Sequence, residues 1–159
     1  ELYSADSIHF NDSLRCYTLR KHRTVYGGGG IMPDVFVPLD TTQYTAFHRQ
    51  LVARSLVINT TLRYVEDHRD ELKTKYAKFD DYMKRFEVPQ AMVDTLFAEA
   101  ERQKVKPRAE AERQRTLPML RLQLKALIAR DIWDMNEYFR LMNEQNHIVS
   151  KAVEVITGK

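Results

Sequence analysis

One cysteine, Cys16, stands in a chain of 159 residues, so no internal disulfide can staple it and a cysteine-built metal cluster is excluded. No apolar run comes near the roughly 20 residues that a bilayer crossing needs. The N-terminus shows neither an initiator methionine nor a charged-then-apolar leader, and a chain opening at Glu1 in this way reads as a processed or excised piece. An excess of one charge is missing too: 25 Lys and Arg against 22 Asp and Glu leave a net charge of +3, with the signs interleaved. That balance argues for neither a nucleic acid nor a membrane surface as partner. Glycine is scarce, with five residues in all, yet four of them stand together at 27–30.

What is present is ordinary globular material, 43% hydrophobic and 30% charged, enough for one domain or for a small piece attached to a larger helical one. The first forty residues read as β. "LRCYTL" (14–19), "TVY" (24–26) and "DVFV" (34–37) are short, rich in β-formers and bounded by turn residues. Three such pieces do not make a stable sheet without a cover, so part of the sheet is expected to lie elsewhere. Pro38 closes the β region, and Asp40 or Thr41 is available to cap a helix.

From about residue 42 the apolar spacing is helical. Tyr44, Phe47, Leu51 and Leu56, then Leu62, Val65 and Leu72, predict two helices broken near Asn59, at "NTT". "DDYMKRF" (80–86) predicts a short helix ended by the approach to Pro89, and Pro89 opens another that carries Val93, Leu96, Phe97 and Ala100 on one side. "KVKPR" (104–108) is the next break. In "TLPMLRLQLKALIARDIW" (116–133), with Pro118 in the first turn, Leu117, Leu120, Leu124, Leu127 and Ile128 form one apolar face. Met119, Leu122, Ala126, Ala129 and Trp133 form a second face nearly opposite. A helix apolar on two sides is the centre of its layer or awaits a partner, so Leu117, Leu120, Leu124, Leu127, Ile128 and Trp133 are candidate interface residues. Two shorter helices flank a break near Asn146. The expected fold is mainly α: a helical bundle over 41–159 preceded by a small β piece over 1–40.

Chemistry is harder to find. The glycine run invites a phosphate loop, but no Lys-Ser or Lys-Thr follows it and the next element reads as a strand; a turn or bulge needing unusual backbone angles fits better. Glu144 and His147 hold the Glu-x-x-His spacing of di-metal bundles, but no second copy exists, and a solvated helix end is the simpler reading. The serines at 4, 7, 13, 55 and 150 have no lysine one helical turn later, and no Gly-x-Ser-x-Gly occurs. The residues thus assign no catalytic, cofactor-binding or metal-ligating position.

At "RTVYGGGGIMPDVFV" the chain resembles the bacterial C-terminal processing, or tail-specific, serine peptidases, in a form with a long helical extension. The likeness extends to "ELYSADSIHFNDSL" before that motif and to "FEVP", "KALIARDIWDMNEYF" and "KAVEVI" after it, covering nearly the whole chain. "KHR" at 21–23 departs from it, since a glycine is expected before the arginine. The resemblance implies a parent enzyme with a PDZ-like domain for substrate C-termini and a mixed α/β core bearing a Ser and Lys dyad upstream of Glu1. It implies that Gly27, Gly28, Gly29 and Gly30 form a backbone turn between core strands, with Pro33 and Asp34 setting the entry to the next strand. The chain alone should then be inactive and need no cofactor. Its partners would be the parent's catalytic and PDZ-like regions, a second copy, and protein substrates met through the parent, in an extracytoplasmic, periplasmic setting. Two other readings are an independent metal-dependent activity around Glu144 and His147, and a helical interaction or nucleic-acid-binding module using the basic residues from Lys104 to Arg115, at a pI near 9.0.

Overall fold

The computed structural model describes residues 11–27, 35–40 and 42–158. The chain divides into two compact units, Glu1–Asp40 and Thr41–Lys159.

In the first unit a 3-10 turn over Asp12–Leu14 is capped by Asn11, whose side chain accepts from the Ser13 amide. It leads into strand β1 (Arg15–Tyr17), which pairs antiparallel with β2 (Thr24–Tyr26) in the register Arg15 to Tyr26, Cys16 to Val25 and Tyr17 to Thr24. The connecting turn is closed by Thr18, whose amide donates to the Arg23 carbonyl and whose hydroxyl accepts from the Arg23 amide, both at 3.0 Å. His22 takes a left-handed φ of 47° there. "DVFV" does not continue the sheet: Val35, Phe36 and Val37 lie in no strand, and Asp34 is outside the described residues. Several apolar side chains of the hairpin are exposed, among them Leu14 and Val25. Tyr17 is 56% exposed and Leu19 96%.

The second unit is a bundle of seven α-helices: α1 (Ala46–Ala53), α2 (Leu56–Lys75), α3 (Phe79–Arg85), α4 (Gln90–Arg102), α5 (Glu110–Ile132), α6 (Met135–Met142) and α7 (His147–Thr157). The fold is therefore mainly helical with one small antiparallel sheet. The first cap is Thr45, whose hydroxyl accepts from the His48 amide, and neither Asp40 nor Thr41 serves it; Thr41 lies outside the described residues.

Two helix boundaries differ from expectation. The break falls at Ser55, held at φ 57°, and α2 runs unbroken through Asn59. Its threonines do not end the helix, because the Thr61 hydroxyl donates back to the Val57 carbonyl at 2.9 Å and Thr60 and Thr61 are buried. Helix α5 begins at Glu110 rather than at Thr116, so Pro118 sits two turns inside it. Proline there supplies no amide to the Gln114 carbonyl, and both residues are exposed, so water can satisfy that oxygen. Glu112 anchors the early start: its carboxylate accepts from the Phe47 amide at 3.1 Å and from the Arg108 amide at 2.7 Å. These two backbone donors, Arg108 first, hold its pKa below the ordinary carboxylate value.

Helix α5 is the centre of the bundle and packs against α1, α2 and α6. Leu120, Leu124 and Ile128 on one face and Ala126 and Ala129 on the other are fully buried. The second apolar face is thus covered only at Ala126 and Ala129, while Met119, Leu122 and Trp133 on it, and Leu117 on the first face, stay partly exposed. Among the described residues, no helix is long and apolar enough to cross a membrane.

Candidate functional site

A concavity of the helical unit lies between α2 and α4, where the α3–α4 connection closes one end, and it measures about 690 Å³. Its position follows from local anchors. Arg121 of α5 reaches under the connection and donates to the Val88 carbonyl at 2.7 Å and to the Gln90 side chain. Lys125, one turn on, donates to the Met83 carbonyl at 2.6 Å. Tyr82, fully buried, stacks on Phe86 at 4.6 Å between centroids and donates its hydroxyl to the Lys125 carbonyl. The segment 86–90 is thereby fixed as a wall standing away from α2, which leaves the groove open.

Leu72, Tyr76, Phe86 and Met92 present their edges as the floor. Tyr76 is held edge-on by both Tyr82 and Phe86. Along the α2 rim the charges run Arg63, Asp67, Glu71, Lys75, one per helical turn, so the rim is acidic at its middle and basic at both ends. Inside that rim Tyr64 and His68 stack with centroids 4.3 Å apart. His68 Nδ1 lies 2.9 Å from the Tyr64 carbonyl, which can only accept, so Nδ1 is the donor. Burial, then the Glu71 carboxylate, then Tyr76 raise the Tyr64 pKa, keeping its phenol protonated. Such a site offers apolar contact with a polar border and presents no activated nucleophile.

None of the candidate site or interface residues named from the sequence lines this groove. Gly28, Gly29, Gly30, Pro33 and Asp34 lie outside the described residues. At Gly27 neither crowding nor a positive φ calls for glycine among the described residues, where an added Cβ would meet the Leu14 carbonyl at 3.8 Å. Glu144 and His147 fall on different elements, a 3-10 turn over Asn143–Gln145 and the first residue of α7, separated by extended Asn146. Their spacing is therefore not helical. Among the described residues no group of three or more His, Cys, Asp and Glu is placed to hold a metal ion. The basic stretch from Lys104 is partly neutralised, with Lys106 on Glu101 at 2.8 Å and Arg113 3.8 Å from Glu110. The groove itself had one signal in the sequence, the charge sequence at 63, 67, 71 and 75, whose i,i+4 spacing marks an exposed stripe on α2.

Fold and site together define a small helical bundle with a groove on one side. The chain belongs to a family of unknown function (DUF8443), whose model matches residues 47–134. That span takes in α2 to α4 and α5, the elements that build and anchor the groove, and leaves out the hairpin and α7. No curated protein and no solved structure matches the chain.

Proposed function

We propose that this chain is the non-catalytic C-terminal region of a bacterial, extracytoplasmic C-terminal processing serine peptidase. Its β segment completes the sheet of the parent's core, and its helical unit is an appendage that packs beside that core. The observation that carries the reading is the hairpin: two three-residue strands that, among the described residues, pair only with each other, with exposed Leu14, Tyr17, Leu19 and Val25, placed directly before the glycine-rich motif. A sheet this small gains stability only by joining more strands. The serine and lysine that would cleave substrate belong to the upstream core, and the α2–α4 groove contributes binding rather than chemistry.

The test uses an unstructured peptide with a free apolar C-terminus, followed by mass spectrometry. The chain alone should leave the peptide intact. A peptidase core of this class truncated just before the matching β segment should bind the chain and regain cleavage. Cleavage by the chain alone, or a truncated core that neither binds it nor recovers, overturns the proposal.

A further inference from the structure

We draw no further inference here: the strongest candidate, the groove between α2 and α4, has a floor that is already buried and a rim on which basic and acidic side chains alternate without favouring a ligand of either sign, and nothing in the structure shows what occupies it.

Discussion

His48 is a titratable group at the α1–α5 contact with almost no access to water. It is 1% exposed, its Nε2 lies 2.7 Å from the Gln123 side-chain oxygen, and its Nδ1 is buried without a partner. Nε2 therefore donates, Nδ1 is the bare nitrogen, and a second proton would be placed where nothing can accept it. Burial pushes the pKa below the ordinary histidine value, with the Gln123 bond opposing it more weakly. The unfolded chain, near 6.5, thus binds the proton more readily than the folded one. Stability from this residue is intact above pH ~6.5 and is lost as pH falls from there toward the lowered folded value, with a single-proton limit of about 1.4 kcal/mol per pH unit. His48→Gln keeps a donor for Gln123 and removes the titration. Urea titrations from pH 7.5 to 5 should show the wild type losing stability faster than this variant; parallel losses would mean that His48 is already charged in the fold.

At the scale of elements, Ser55 shows what sequence periodicity can and cannot supply. A residue with a Cβ held at φ 57° carries about 1 kcal/mol of strain that glycine would not. Ser55 is exposed and its side chain makes no cap bond. Ser55→Gly should therefore raise stability by up to about 1 kcal/mol, offset in part by the freer unfolded chain, and Ser55→Val should lower it; thermal melts of the pair read the sign. The apolar stripes of α4 and α5 were readable, because 3.6-residue spacing reports which side of a helix is buried. The α1–α2 break was not, because serine carries no signal for a left-handed backbone, whereas "NTT" imitates a turn signal and resolves into helix once Thr61 bonds back to Val57. The start of α5 was missed for a related reason: Glu112 is fixed by the Phe47 amide, 65 residues away in sequence, and no local pattern encodes that. The groove was hidden in the same way. Its floor draws on Leu72, Tyr76, Phe86 and Met92 from three segments, and only its rim, with a charge at every fourth position of α2, leaves a trace along the chain.

Across the whole molecule, burial is divided unequally between the two units, and so must be their resistance to opening. Leu51, Val93, Leu96, Leu120, Leu124 and Ile128 are all fully enclosed in the helical unit, whereas β1 and β2 contain no buried residue. A helix amide at the centre of such a core exchanges only when much of the bundle unfolds, while a two-stranded ladder with solvent on its side chains opens locally at almost no cost. Amide exchange on the isolated chain should accordingly show α5 amides from Leu120 to Ile128 protected close to the global limit. The amides that bond across Arg15–Tyr17 and Thr24–Tyr26 should exchange near the rate of an open peptide. Adding a peptidase core that lacks this β segment should slow exchange in the hairpin by several orders of magnitude and leave α5 unchanged, since strand addition buries the hairpin's ladder and not the bundle's. Slow exchange in the hairpin of the isolated chain would mean that the strands are already covered, and it would remove the observation that carries the peptidase proposal.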